Sequence, residues 1–300
     1  MKSSRRTLYA YRRLSEHYPN LQALYDRTFK SATAAQPDEG MGLDRQLEYL
    51  GRLVDVRRGP TLVVGCGPRP QAVQRLVQRG HDVIAVEPVP EFVRAAGEFI
   101  DAPERIVEGV AERIPLPTAS VQVVYCNSVL EHVDSPLASL QEMARVLRPG
   151  GAALLFTTNR YRFDWRGDNR EYTVPFLNWF PAVVRECFAF HQLHYEPSLA
   201  NYSDRPAVHW FSYSDLCALG RDAGFAHFYS TLDLLDGADP VLAQSRVKRW
   251  LVTRAQVNPW LRALVLTTTY FGGIVLMVKR ARANAAAADD ALSRASTATG

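Results

Sequence analysis

Two glycines and a glutamate are spaced as a strand-end binding loop would need them. Gly65-Cys66-Gly67 closes the apolar run Thr61–Val64, and Glu87 ends the next such run, twenty-two residues after Gly65. A backbone without side chains lets a ligand come close and exposes amides to it. An acid at the end of the second strand can accept two hydroxyls of a ribose. Farther along, His132 offers an imidazole that is neutral near pH 7 and suited to general-base work. His191, His194 and Glu196 form HxxHxE, which reads as a polar helix end, and no metal is expected. Asp164, Arg166, Asp168, Arg170 and Glu171 read as a solvated, mixed-charge loop.

The glycine loop and Glu87 fit NAD and S-adenosylmethionine alike. A dinucleotide loop wants a third glycine at position 70, for tight helix–strand packing around a pyrophosphate. That position holds Pro70. S-adenosylmethionine has no pyrophosphate, so the demand disappears, and Pro70 can sit in the first turn of the next helix.

These residues need a frame. Stretches 61–65, 81–88, 104–110, 121–127 and 152–159 read as strands, alternating with helical stretches. That order means βαβ units, a parallel sheet and a ligand crevice at the carboxyl ends of the strands. The helix from Ser135 is expected to run to a stop at Pro149-Gly150-Gly151. A later helix ends at Gly224, with Ser214 or Asp215 near its cap. Residues 1–58 read as an N-terminal helical segment, with Leu8, Tyr11, Leu14, Tyr18, Leu21 and Leu24 on one face, a break at Pro19 and a linker-like stretch over 31–42. Residues 59–281 form the main domain. Within it, 160–210 is a long insertion dense in aromatics, the natural place for substrate recognition. Residues 282–300 read as a disordered tail.

The chain has 300 residues, 47% of them hydrophobic, which suits a globular protein. A net charge of +4 is slight for this length and does not argue for nucleic acid. The four cysteines lie far apart and read as reduced thiols, which favours a cytoplasmic protein. The basic start of the chain lacks the apolar core of a signal peptide. The apolar stretch 263–278 reads as a helix end, a turn and a last buried strand.

The runs LVVGCGP, VIAVEPVPEFV, EGVAERIPLPTASVQVVYCNSVLEHV and ARVLRPGG together resemble class I S-adenosylmethionine-dependent methyltransferases, and most closely the methyltransferase type 11 subgroup. The resemblance covers about residues 45–157 and extends loosely to 211–225. It implies an α/β, Rossmann-like fold: a mostly parallel seven-stranded sheet with helices on both faces, and the helical and aromatic insertion after the fifth strand. It implies that Gly65, Cys66 and Gly67 line the methionine and ribose of the cofactor, that Glu87 holds the ribose and that Pro88 lies beside the adenine. Val110, Ala111 and Glu112 would frame the adenine edge, and Asn127 would lie near the methionine end. The chain departs from the family at Val63, Arg69, Val110 and Gln122, where members usually carry an acid, a glycine, an aspartate and an acid.

The expected activity is methyl transfer from S-adenosylmethionine to an oxygen of a small-molecule or lipid- or glycan-type acceptor, with His132 as the candidate catalytic base. The alternatives are a non-catalytic S-adenosylmethionine-binding protein of the same fold and a C-methyltransferase acting on a quinone-like ring. No nucleic-acid partner is expected. The basic N-terminus and the apolar C-terminal stretch would suit weak contact with a membrane surface, making a cytoplasmic protein peripheral to it.

Overall fold

A computed structural model describes residues 7–21, 23–24, 39–196, 203–235, 239, 242, 245–269 and 273–279. The expected tail over 282–300 and most of the linker over 31–42 lie outside them.

Seven strands form one sheet: β1 Thr61–Val64, β2 Val83–Glu87, β3 Ile106–Glu108, β4 Val121–Asn127, β5 Leu147–Phe156, β6 Phe225–Ser230 and β7 Ile274–Lys279, in the order β3-β2-β1-β4-β5-β7-β6. The first five run parallel, and β7 lies antiparallel between β5 and β6. Period-two alternation sorts the side chains to two faces. Val63, Tyr125, Leu154 and Leu276 stand in register and share one core. Their neighbours Val64, Cys126, Leu155 and Val275 share the other.

The first face is covered by α1 Glu39–Gly51, α2 Gln71–Gln78 and α3 Pro90–Ile100. The second is covered by α4 Pro136–Val146. The insertion adds α5 Ala182–His191 and a satellite core of Tyr172, Leu177, Phe190 and Val208. Then α6 Tyr213–Asp222 joins α4 on the second face. A helical pair, α7 Arg246–Val257 and α8 Pro259–Thr268, returns to the first.

Several expectations shift. The N-terminal segment ahead of the expected break at Pro19 is less helical than its pattern: residues 7–13 carry no helix, and Leu14–His17 is a single turn. Its apolar residues pack all the same, with Leu14, Leu21 and Leu24 buried against Phe92. Helix α1 begins at Glu39, inside the stretch read as linker. Helix α4 stops at Val146, and Leu147-Arg148-Pro149-Gly150-Gly151 opens β5 as an irregular strand start. The reason is close approach: a Cβ on Gly151 would lie 2.7 Å from the Gln122 carbonyl oxygen. Helix α6 is capped by Ser212, in a reciprocal capping box with Asp215. Pro70 is the residue before α2, and its carbonyl accepts the Gln74 amide at 3.0 Å. The stretch 263–278 is, as expected, a helix end followed by a buried strand, and among the described residues no helix is long and apolar enough to cross a membrane.

Candidate active site

Strand β1 pairs with β2 on one side and β4 on the other, so the chain reverses its direction of travel across the sheet there. Beyond such a switch point, crossovers leave a crevice at the carboxyl ends of the strands. Gly65 and Gly67 leave β1 at that edge with φ of 68° and 65°, a region that disfavours other residues. The Gly65 amide still donates to the Val86 carbonyl at 2.8 Å, which holds the turn against β2. A Cβ on Gly67 would meet nothing within 4 Å, so the space beside this residue is open to a ligand.

Glu87 ends β2 and is buried. Its Oε2 accepts the Gly67 amide at 2.9 Å and its Oε1 the Val89 amide at 3.2 Å. Burial outweighs these bonds and raises its pKa to about 7. Pro88 follows, exposed. Burial and the nearby Glu87 charge also push the Cys66 thiol up. All four cysteines are free.

At the end of β3, Gly109 donates to the Glu87 carbonyl at 3.1 Å, and Val110 is exposed beside buried Ala111. Glu112 turns elsewhere: its Oε1 accepts the amides of Asp134 and Ser135 at 2.7 and 3.3 Å, anchoring the entry to α4. Asn127, exposed, ends β4. Ser128 follows with φ of 53°, and Val129 packs over Gly65. The candidate residues therefore line the ends of β3, β2, β1 and β4 in that order. Of the departures, Val63 is a core residue of β1 and Arg69 is half-buried just before α2. Gln122 is buried at the start of β4, and Val110 bridges to Arg113.

On the β4–β5 side lies a cluster that the sequence did not reveal. Glu131 is 0% exposed, and its Oε2 accepts the Thr157 hydroxyl at 2.7 Å. His132 Nε2 lies 3.7 Å from Glu171 Oε2. Ligand atoms of Glu131, His132 and Glu171 all fall within 4.8 Å of one another, a spacing a cation could use. Burial raises the Glu131 pKa to about 7. It lowers those of His132 and His194 to about 4, against the pull of backbone carbonyls near both rings. Glu171 corrects the solvated-loop expectation. It is buried because Asn169 folds its loop inward, accepting the amides of Glu171 and Tyr172 while donating to the Tyr172 and Val174 carbonyls. No local pattern announces this placement. His191 binds the Cys187 carbonyl and His194 the Asp204 carbonyl, each a backbone contact.

Residues 62–155 match the family model described as a methyltransferase domain. An uncharacterized methyltransferase of Mycobacterium tuberculosis is 40% identical over 92 residues, covering 30% of this chain and 37% of the relative. A ubiquinone biosynthesis O-methyltransferase of Xanthomonas oryzae pv. oryzae is 31% identical over 119 residues, covering 38% and 49%. The chain thus spans less than half the length of these relatives. A geranyl diphosphate C-methyltransferase of Streptomyces coelicolor has a solved structure 13% identical, covering 93% of each chain with a TM-score of 0.47. The glycine turn and the strand-end glutamate lie at the carboxyl ends of adjacent strands inside the matched segment, and residues 62–155 are similar to the methyltransferase domain of class I S-adenosylmethionine-dependent methyltransferases.

Proposed function

We propose that this protein transfers a methyl group from S-adenosylmethionine to an oxygen of a small-molecule or lipid- or glycan-type acceptor. The observation that carries the reading is the Glu87–Gly67 bond beside an open space at the switch point. The residues suit the cofactor: Glu87 keeps acceptor capacity for ribose hydroxyls, and the loop offers room for close approach. The name of the Xanthomonas oryzae relative supports oxygen as the acceptor atom.

When bound, S-adenosylmethionine supplies an electrophilic methyl group on its sulfonium. The chain's part is to position the acceptor in line and to accept its proton. His132 is neutral at pH 7, because burial lowers its pKa to about 4. Glu131, with a pKa near 7, has the better-matched basicity. In this reading His132 accepts the proton of the acceptor hydroxyl, and the Glu131 and Glu171 carboxyls beside it balance the charge of the imidazolium.

Calorimetry with S-adenosylmethionine and S-adenosylhomocysteine tests the proposal. Wild type binds both, and Glu87→Ala binds about tenfold or more weakly, as expected for lost hydrogen bonds to a charged group. Folded wild-type protein that binds neither ligand would sink the reading.

A further inference from the structure

The helical pair α7–α8 is amphipathic in an unusual sense: its outer face is apolar and cationic rather than simply polar. Val252, Ala255, Val265 and Leu266 are buried in the core of the first sheet face. Gln256 donates to the Leu232 and Leu235 carbonyls, and Arg262 pairs with Asp233. Ser245 caps α7 and Asn258 caps α8. The pair is therefore firmly seated. Away from that core, Trp250 is 60% and Trp260 85% exposed, and Val247, Val257 and Leu264 are exposed as well. Helical spacing aligns Val247, Trp250 and Val257 on one stripe, and Trp260 and Leu264 on another.

The apolar surface extends to the insertion. The Phe163 amide donates to the Thr268 carbonyl at 2.8 Å, and Asn159 Nδ2 donates to the Thr267 and Thr269 carbonyls. This fixes exposed Phe163, and with it the neighbouring Trp165, at the end of α8. Arg166 lies over the Trp165 ring at 4.7 Å. From Ser245 to Thr268 the chain carries Arg246, Lys248, Arg249, Arg254 and Arg262, and no Asp or Glu.

We propose that this face docks the protein on an anionic lipid bilayer. Tryptophans favour the membrane–water interface, aliphatic side chains enter the acyl boundary, and the cations meet anionic headgroups. Charge complementarity selects this occupant. A second copy would set two cationic faces against each other, and a neutral apolar partner would leave the cations unmatched. The proposal is independent of the methyltransfer reading, and vesicle binding reads it without any turnover.

The test is co-sedimentation with vesicles of phosphatidylcholine alone and of phosphatidylcholine with phosphatidylglycerol. Wild type binds the mixed vesicles, binds them less at high salt, and binds the neutral ones weakly. Trp250→Ser/Trp260→Ser/Leu264→Ser lowers binding about tenfold or more, the combined loss of the apolar anchors. Arg246→Gln/Arg249→Gln/Arg254→Gln lowers it for mixed vesicles alone. All six positions are exposed, so unchanged melting temperatures certify both variants as folded. Absence of binding to mixed vesicles overturns the proposal, as does equal binding to both compositions. Unchanged binding by either folded variant overturns it too. Concentration-dependent dimerisation that the same substitutions abolish assigns the face to a second copy and overturns it as well.

Discussion

The Glu87 carboxylate accepts the Gly67 amide 2.9 Å away while burial holds its pKa near 7. Ribose hydroxyls donate best to the ionised form, so S-adenosylhomocysteine affinity is expected to rise between pH 6 and 8. The limit is about tenfold per pH unit for one proton. Calorimetry across that range checks it, and Glu87→Gln is expected to flatten the profile.

The same carboxyl affects stability without ligand. Its folded pKa is raised, so its stabilising contribution is complete below the unfolded value, about 4.3, and is lost as pH rises through 7. Glu131 acts in the same direction. Thermal melts of wild type are expected to fall from pH 6.5 to 7.5, by at most about 1.4 kcal/mol per pH unit for each proton. Glu131→Gln is expected to fall less steeply over that range.

His132 and His194 act on the acid side. Their folded pKa values are depressed to about 4, so the stability they favour is present above about 6.5 and is lost as pH falls toward 4. Over that range the two imidazoles oppose the two carboxyls, so each is read from its own variant. His132→Gln is expected to lose less stability than wild type between pH 6.5 and 4 in thermal melts. If His132 also touches the acceptor, the variant loses turnover while S-adenosylhomocysteine affinity stays unchanged.

Gly65→Ala is expected to damage both fold and binding. Its φ is 68°, and the new Cβ would lie 2.4 Å from a Val129 methyl. Overpacking of this kind costs about 1–3 kcal/mol. Gly67→Ala meets no such clash, so its melting temperature should fall less while its cofactor affinity still drops. Melting curves and calorimetry on the two variants separate these outcomes.

The N-terminal segment links the insertion to α3. The Leu14 amide donates to the Asp204 carbonyl, the Tyr18 hydroxyl donates to the Tyr195 carbonyl, and the Leu14 side chain is buried against Phe92 in α3. Leu14→Ala is expected to loosen this strap by roughly 2–5 kcal/mol. Limited proteolysis within residues 7–24 should accelerate, and S-adenosylhomocysteine should dissociate faster.

The strands and the glycine turn at the end of β1 were legible because their signals are local. An apolar run of four residues ending in Gly65 is too short for a helix and reads as a buried strand, and the position of Glu87 follows from the next run. Residues 147–151 misled because proline and glycine mark a helix stop and an irregular strand start alike; only the closeness of Gly151 to Gln122 decides. Glu171 was illegible for a different reason. Its burial depends on Asn169 turning the loop and on His132, thirty-nine positions away in sequence, standing opposite. Residues 7–13 carry a helical pattern yet form no helix, because tertiary contacts with Glu186 and Tyr195 bind the Leu8 and Arg12 amides instead.

The place of β7 has a consequence for synthesis on the ribosome. Among the described residues, strand β6 pairs with no strand other than β7, and β7 is also the outer neighbour of β5. As the chain emerges, β1 to β5 can assemble at once, whereas β6 waits unpaired until residues 274–279 arrive. During that interval β5 and β6 offer open edges to other nascent chains, and the arrival of β7 occupies both together.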